Sequence, residues 1–225
     1  MARRVAYGTL GWLRNLAGGM LLASPVFAQE EPVTVVALGD SLTAGYGLPQ
    51  EDGFTAQMEA WLRARGHDAR VINAGVSGDT TAGGLSRIGW TLTPEVDAII
   101  VALGGNDFLR GVDPAVSRAN LSGILEATDA AGIPELLVGI HASRNYGPDY
   151  RAAFNGMYPD LAAAHDAILE PDWFAGISAE GITEEAMRLY MQPDGIHPNA
   201  AGVERIVEDL GPAVEALIAR AETGS

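Results

Sequence analysis

The sequence predicts an α/β fold, a three-layer α/β/α sandwich around a central parallel sheet. From about residue 33, short apolar runs alternate with amphipathic stretches of helix length. The apolar runs are almost continuous, which is typical of strands covered by helices on both faces. Alternation of this kind favours parallel strands joined by right-handed crossovers. Because no Pro/Gly/Ser-rich linker divides the chain, we expect one domain over residues 29–225.

Four apolar runs are strand candidates, and a weaker fifth follows them. In chain order they are Val33–Leu38, Ala69–Ile72, Ala98–Leu103, Leu136–Ile140 and the weaker Ala167–Glu170. Helices are predicted at 53–65, 80–92, 114–131, 150–165 and 199–221. Pro114 suits a helix start, and Gly132 followed by Pro134 suits a helix end. In a flavodoxin-like strand order, 2-1-3-4-5, the first strand would lie between the second and the third.

Residues 1–28 are predicted to be a secretory signal peptide rather than part of the fold. Three arginines accompany a mainly apolar stretch, Leu16–Ala23, and Val26-Phe27-Ala28 offers a cleavage site. The apolar stretch is too short and too interrupted by glycine for a stable transmembrane helix. An ordinary amino-terminal helix or an uncleaved anchor is the alternative. We therefore expect a periplasmic or secreted protein, with no stable membrane insertion after processing.

The charge balance narrows the possible partners. The 225 residues carry 29 acidic and 14 basic side chains, a formal net charge of −15, and no cysteine. An acidic surface repels nucleic-acid phosphates and anionic lipid headgroups, so nucleic-acid binding is not expected. Without cysteine, the protein needs no disulfide even in an oxidising compartment. Nothing in the sequence requires more than a monomer.

Three polar clusters directly follow the first three predicted strands. They are Gly39-Asp40-Ser41-Leu42, Ser77-Gly78-Asp79-Thr80 and Gly104-Gly105-Asn106-Asp107. In open α/β sheets, ligands bind beyond the carboxyl ends of the strands, where the strand order reverses. With the order 2-1-3-4-5, Ser41 would be central, with Gly78 on one side and Asn106 on the other. The sequence thus predicts a functional site at this edge of the sheet.

A fourth cluster, Asp194–Asn199, lies just before the last predicted helix. A serine hydroxyl is unreactive at neutral pH unless a base takes its proton, and a histidine oriented by a carboxylate commonly does so. Asp194 and His197 are three residues apart, so one rigid turn could present both of them to Ser41. The pattern predicts a serine nucleophile with its own base.

Together these four ordered blocks resemble the SGNH (GDSL-type) hydrolases over essentially the whole mature chain. The longer stretches Gly39–Gly47, Asn73–Thr80 and Gly104–Gly111 are similar to the bacterial periplasmic branch of multifunctional thioesterases, lysophospholipases, arylesterases and proteases. The motif around Ser41 is not the Gly-x-Ser-x-Gly elbow of α/β-hydrolases, which disfavours that fold.

The resemblance implies a role for each matching residue. Ser41 corresponds to the nucleophile, Asp194 to the triad acid and His197 to the base. The backbone N–H groups of Ser41 and Gly78 and the side-chain amide of Asn106 correspond to the oxyanion hole. Two or three preorganised donors are what a developing oxyanion requires, and glycine at position 78 lets the backbone approach a ligand closely.

Each residue also has a purely structural interpretation. Ser41 could cap a helix, Asn106 and Gly78 could belong to loops, and His197 could lie at the surface. Asp40, Asp79 and Asp107 are expected to cap or brace loops, although three carboxylates could instead hold a hard metal ion. We expect no metal or cofactor, since a serine–histidine pair needs none. The other histidines show no partner pattern and are expected to be structural or exposed: His67, His141 and His165.

The implied function is hydrolysis of carboxylic esters or thioesters through an acyl-enzyme on Ser41. Phe108 and Leu109, directly after the third cluster, and Tyr146, after the fourth strand, could line an acyl groove, although the first two could also pack into the core. The expected substrate is a small acyl ester or thioester. The alternatives are an O-acetylesterase acting on carbohydrate or cell-wall polymer and, from another class, a catalytically inactive binding protein.

Overall fold

The computed structural model describes residues 1–2, 31–177 and 183–224. By its internal contacts the chain divides into Met1–Glu30 and Glu31–Ser225, and the fold described here belongs to the second unit. Apart from its first two residues, the predicted signal peptide lies outside the described residues. Among the described helices, none is long and apolar enough to cross a membrane.

A five-stranded sheet forms the centre of the described fold. Its strands are β1 Val33–Gly39, β2 Ala69–Gly75, β3 Ala98–Ala102, β4 Glu135–Val138 and β5 Ile168–Glu170. The order is β2-β1-β3-β4-β5, and every neighbouring pair is parallel. The predicted fold class and the predicted strand order are therefore confirmed.

Strand β2 is longer than its apolar run predicts. Its pairing with β1 continues through Asn73 to Gly75, and the Asn73 Oδ1 atom accepts the Gly75 N–H at 2.9 Å. β2 lies at the edge of the sheet, so its residues need not be apolar on both sides. Asn73 interrupts the apolar run, so the predicted strand ended three residues too early.

Helices connect the strands and cover both faces of the sheet. They are α1 Ser41–Ala44, α2 Phe54–Ala64, α3 Thr81–Thr91, α4 Gly105–Arg110, α5 Pro114–Ala131, α6 Pro148–His165, α7 Glu184–Tyr190 and α8 Ala200–Gly224, with a short 3₁₀ helix at Gln50–Asp52. The five predicted helices are present. The sequence did not predict α1, α4 and α7, because helices of at most seven residues are too short to show a clear apolar period.

The alternating side chains of β1 divide the core into two layers. Val35 and Ala37 pack with α2 and α8 on one face, whereas Val36 and Leu38 pack with α3, α5 and α6 on the other. Helix α2 contributes Phe54, Met58 and Leu62 at helical spacing, all fully buried. Burying an apolar side chain of this size stabilises the fold by about 1.5–3 kcal/mol. The sheet therefore presents a rigid edge to the loops that follow its strands.

Arg87, on α3, holds this edge together. Its Nη1 donates to the Ala74 carbonyl of β2 at 2.7 Å, and its Nη2 donates to the Gly39 carbonyl of β1 at 2.8 Å. The Nε atom donates to the Asp79 carboxylate at 2.7 Å. One guanidinium thus joins the ends of two strands to the loop after β2.

Candidate active site

Ser41 is the first residue of α1, directly beyond the carboxyl end of β1. The preceding residue, Asp40, caps the helix, since its Oδ1 atom accepts the Leu42 N–H at 3.0 Å. Gly39 makes the sharp strand-to-helix turn possible, because a Cβ there would overlap the Thr43 side chain. The turn places the Ser41 side chain at the edge of the sheet, half-buried.

The predicted base and acid lie in one turn before α8. His197 Nε2 is 2.8 Å from Ser41 Oγ, and His197 Nδ1 is 2.6 Å from Asp194 Oδ2. The other oxygen of Asp194 accepts the N–H groups of Ile196 and His197 at 2.9 and 3.0 Å. The hydrogen bond with the His197 side chain, followed by these two backbone bonds, lowers the pKa of Asp194 to about 2. The carboxylate is therefore ionised at neutral pH and favours a proton on His197 Nδ1, which leaves Nε2 free to accept one.

Gln192 fixes the segment that carries His197. Its backbone N–H donates to the His197 carbonyl at 2.7 Å, and its side-chain amide lies 2.9 Å from the Pro198 carbonyl. The same amide nitrogen donates to the Tyr46 carbonyl at 2.7 Å, in the chain that follows α1. The Tyr46 ring in turn packs against the His197 imidazole, with 4.6 Å between ring centroids. Sequence reasoning missed both Gln192 and Tyr46.

Asn106 lies in the first turn of α4, beyond β3. Gly104, just before the helix, has φ of +124°, and a Cβ there would overlap the Tyr158 hydroxyl. Asn106 Nδ2 donates to Asp40 Oδ2 at 3.2 Å. Asp40 is only 2% exposed, and this burial raises its pKa to about 6 against the opposing effect of its hydrogen bonds. The Asn106 amide is thus held by a buried carboxyl group.

Gly78 follows β2 with φ of +86°, a left-handed conformation that favours glycine. A Cβ at this position would touch only Arg110 Nη2, at 3.7 Å, so the backbone conformation rather than crowding requires the glycine. Arg110, the last residue of α4, donates to the Gly78 carbonyl at 2.9 Å. This hydrogen bond holds the peptide group between Gly78 and Asp79, next to the one that carries the Gly78 N–H.

Ser41, Gly78, Asn106 and His197 all border one cavity of about 460 Å³. The structure therefore brings together the residues that the four sequence blocks predicted. Asp194 does not border the cavity but is hydrogen-bonded to His197, which does. Most of the remaining lining is apolar: Leu42, Tyr46, Phe108, Leu109, Ile140, Phe174, Met191 and Ile196, together with Asp40, Ser77, Gly105, His141 and Gly195. Ile196 stands inside the Asp194–Asn199 block and could have been suspected from it, whereas Phe174 and Met191 show no motif.

The three predicted acyl-groove residues have different positions. Phe108 lines the cavity and also packs against the α3/α5/α6 side of the core, and Leu109 lines the cavity with 54% of its surface exposed. Tyr146 does not border the cavity. It contacts the other two, with its ring 5.9 Å from that of Phe108 and its hydroxyl 3.3 Å from the Leu109 carbonyl.

The loop carboxylates beside the site all accept hydrogen bonds from protein donors. Asp79 binds Arg87, and Asp40 caps α1. Asp107 is 1% exposed and accepts from the Thr81 N–H at 2.8 Å, the Thr81 hydroxyl at 2.6 Å and the Ser117 hydroxyl at 2.9 Å. These carboxylates therefore brace loops and helices, as the structural interpretation expects.

The other histidines each lie beside a carboxylate. The His67–Glu215, His165–Asp129 and His141–Asp172 pairs have N–O distances of 3.0, 2.7 and 3.5 Å. His141 also borders the cavity. The partners are far away in sequence, which is why no local pattern indicated them.

The chain is similar to known hydrolases along nearly all of its length. Residues 37–205, which include every predicted site residue, match the GDSL-like lipase/acylhydrolase family. The esterase TesA of Pseudomonas aeruginosa is 37% identical over 204 residues, which cover 90% of this chain and 98% of that protein. The thioesterase 1/protease 1/lysophospholipase L1 of Escherichia coli K12 is 33% identical over 186 residues, 82% of this chain and 85% of that protein.

A solved structure of an esterase is also similar to this chain. The SGNH-hydrolase family esterase AlinE4 is 44% identical and superposes with a TM-score of 0.68, covering 84% of this chain and 98% of its own. The resemblance inferred from the four sequence blocks is thus confirmed by family, relatives and fold. The chain belongs to the GDSL-like lipase/acylhydrolase family and is an ester hydrolase with the SGNH-hydrolase fold.

Proposed function

We propose that the protein hydrolyses carboxylic esters and acyl thioesters through an acyl-enzyme on Ser41. One observation carries this proposal: an unbroken hydrogen-bond chain runs from Asp194 through His197 to Ser41 at the wall of an apolar cavity. A serine in such a chain can lose its proton as it attacks a carbonyl carbon. A serine that only capped a helix would not require the histidine and carboxylate.

In the acylation step, Ser41 Oγ attacks the carbonyl carbon while His197 Nε2 accepts the hydroxyl proton. Asp194 keeps Nδ1 protonated and stabilises the imidazolium that forms. The carbonyl oxygen gains negative charge, which the N–H groups of Ser41 and Gly78 and the Asn106 amide would stabilise. His197 then returns the proton to the departing alcohol or thiol, and the acyl group remains on Ser41.

In the deacylation step, the same base activates a water molecule. Water loses a proton to His197 Nε2 and attacks the acyl carbon, and the second tetrahedral intermediate uses the same oxyanion donors. Collapse of this intermediate releases the carboxylic acid and returns the proton to Ser41 Oγ. The protein's own side chains supply every proton transfer in this cycle.

The apolar lining of the cavity favours binding of the acyl part of a substrate. Phe108, Leu109 and Ile196 border the same cavity as Ser41 and His197. Each acyl methylene buried there would contribute about 0.8 kcal/mol of binding. The relatives named esterase and thioesterase/lysophospholipase act within the same chemistry. We therefore propose aryl esters, acyl thioesters and lysophospholipids as substrates, ahead of acetylated polysaccharides.

The direct test is labelling with a fluorophosphonate, in which the active serine oxygen displaces fluoride from phosphorus. We expect one label per chain on Ser41 and none in Ser41→Ala. Ser77→Ala is the matched control, because Ser77 borders the same cavity but no described histidine lies within hydrogen-bonding distance of its hydroxyl. Labelling that persists in Ser41→Ala would refute the assignment of the nucleophile, and an unlabelled wild type would favour a binding protein.

Substrate class is tested on the purified protein with p-nitrophenyl esters, acyl-CoA, lysophosphatidylcholine and acetylated xylan. The proposal requires a higher kcat/KM for p-nitrophenyl esters, acyl-CoA and lysophosphatidylcholine than for acetylated xylan. Acetylated xylan as the best substrate would favour the carbohydrate O-acetylesterase.

We further propose that the protein works in the periplasm or outside the cell as a monomer, after removal of residues 1–28. The arginines and the short apolar stretch before Ala28 support export and cleavage. Sequencing of the exported protein should find Gln29 as its first residue. Retention of residues 1–28 on the exported protein would contradict cleavage, and light scattering of the exported protein would reveal any dimer.

A further inference from the structure

A cluster of potential metal ligands lies far from the catalytic cavity. Asp129 comes from the last turns of α5, Glu135 is the first residue of β4, and His165 is the last residue of α6. One ligand atom from each lies within 4.8 Å of the other two. β4 begins at the cluster, whereas the catalytic loops follow the other ends of the parallel strands. The cluster therefore lies at the opposite edge of the sheet.

Glu135 is the buried member of the cluster, with 3% of its surface exposed. Its Oε2 atom is hydrogen-bonded to the Thr128 hydroxyl, but its Oε1 atom has no hydrogen-bond partner among the described residues. A buried carboxylate oxygen without a donor is costly, because it has left water without a replacement. This burial raises the pKa of Glu135 to about 7. The Glu135 carboxyl group therefore has one oxygen free to bind a ligand.

His165 and Asp129 complete the cluster on the solvent side. His165 Nδ1 lies 2.7 Å from Asp129 Oδ2, and the His165 side chain is only 11% exposed. The Asp129 side chain is 49% exposed, so the cluster is accessible from solvent on this side. A cation could bind between these two side chains in place of the contact that they make with each other.

We propose that Asp129, Glu135 and His165 bind one divalent transition-metal ion, with Zn²⁺ as the best match. Two carboxylates and a neutral imidazole balance the charge of such an ion, and an imidazole ligand favours Zn²⁺ over Ca²⁺ or Mg²⁺. Zinc–ligand distances of about 2.0–2.2 Å require the three atoms to approach one another more closely, which the half-exposed Asp129 permits. Water completes the coordination.

The ion would have a structural role. It would link the end of α5 and the end of α6, two helices that pack on the same face of the sheet, to the start of strand β4. An ion that binds the folded state and not the unfolded chain stabilises the fold. The ester hydrolysis proposed above does not use it, so the two proposals fail independently.

The test uses the purified protein without a histidine tag, stripped with EDTA and then titrated with ZnCl₂. Calorimetry should find one bound Zn²⁺ per chain, and Zn²⁺ should raise the melting temperature. His165→Ala and Glu135→Gln should each raise the Kd at least about tenfold and remove the melting shift. Circular dichroism checks that both variants fold. If one of them does not, Asp129→Asn is used in its place, because the Asp129 side chain is half-exposed.

His67→Ala is the matched control, because His67 also pairs with a carboxylate, Glu215, but belongs to no three-residue cluster in the described part of the chain. It should bind Zn²⁺ as the wild type does. Hydrolysis of p-nitrophenyl butyrate should be equal with EDTA and with Zn²⁺. The proposal is overturned if the wild type binds no Zn²⁺, or if binding is unchanged in His165→Ala and Asp129→Asn.

Discussion

The side-chain amide of Asn106 donates a hydrogen bond to the buried carboxyl group of Asp40, 3.2 Å away. Asp40 precedes Ser41 in the chain and caps the helix that Ser41 begins. The proposed oxyanion donor is therefore oriented by the neighbour of the proposed nucleophile. An amide nitrogen has two hydrogens, so one can bind Asp40 while the other remains available to a substrate oxygen.

Replacing Asn106 by alanine should remove one oxyanion donor. We expect Asn106→Ala to lower kcat about 10²–10³-fold, the usual scale for such a loss, and to leave the fold intact. The measurement is steady-state hydrolysis of p-nitrophenyl butyrate. Asn120→Ala is the control, since its amide binds Thr81 Oγ1 away from the cavity. A change in KM alone would make Asn106 a substrate-binding residue instead.

Replacing Asp40 by asparagine should change how stability depends on pH. The folded protein holds the pKa of Asp40 at about 6 rather than its usual 3.8. Between these values the folded state binds the proton more tightly, so stability falls as pH rises through this window. Two pKa units correspond to about 3 kcal/mol. From pH 4 to pH 7, the free energy of unfolding of the wild type should fall relative to Asp40→Asn by up to this amount.

Urea unfolding at pH 4, 5, 6 and 7 measures the Asp40 effect. The lowered pKa of Asp194 acts in the opposite sense, since its contribution is lost only as pH falls from about 4 towards 2. This contribution is common to both proteins and cancels in the difference between them. Parallel stability curves for the two proteins would show that Asp40 titrates near its usual pKa.

Ser41 and His197 should act as one unit. Ser41→Ala and His197→Ala should each remove most of the activity, and the double variant should be little worse than either single one, because each loss already disables the same step. The measurement is kcat for an aryl ester, with circular dichroism to check folding. Ser77→Ala should retain most of the activity. Half of the wild-type rate in Ser41→Ala would exclude it as the nucleophile.

Phe108 and Leu109 should determine the preference for acyl length. With p-nitrophenyl esters from acetate to laurate, kcat/KM should first rise with chain length in the wild type, because each buried methylene contributes about 0.8 kcal/mol. The Phe108→Ala, Leu109→Ala double variant should flatten this rise. Val116→Ala removes another half-exposed apolar side chain, outside the cavity, and should leave the profile unchanged. A strict preference for acetate would contradict an acyl groove.

The central strands β1 and β3 were the most directly predictable parts of the fold. β1 and β3 are buried on both faces, so their apolar runs are nearly continuous. The helices α1, α4 and α7 were missed because each is shorter than two full apolar periods. The parallel pairing was predictable because helical segments connect each strand to the next.

The predicted site residues could be found because the chemistry requires particular residue types at fixed spacing in the sequence. Gln192 and Arg110 were missed because they act on backbone carbonyls, for which many residue types would serve. Tyr46 was missed because ring packing on His197 leaves no sequence pattern. Tyr146 was assigned to the groove only because it follows β4, and in the structure it packs against Phe108 without bordering the cavity.

Ser41 and His197 meet although they stand 156 positions apart in the chain. A ribosome delivers the amino-terminal part first, so a growing chain carries its serine long before the histidine exists. Until the segment before α8 is made and docked, the serine has no base and cannot attack an ester. Docking of this segment is then the step that makes the hydrolase active, and a chain that lacks it cannot attack esters or thioesters around it.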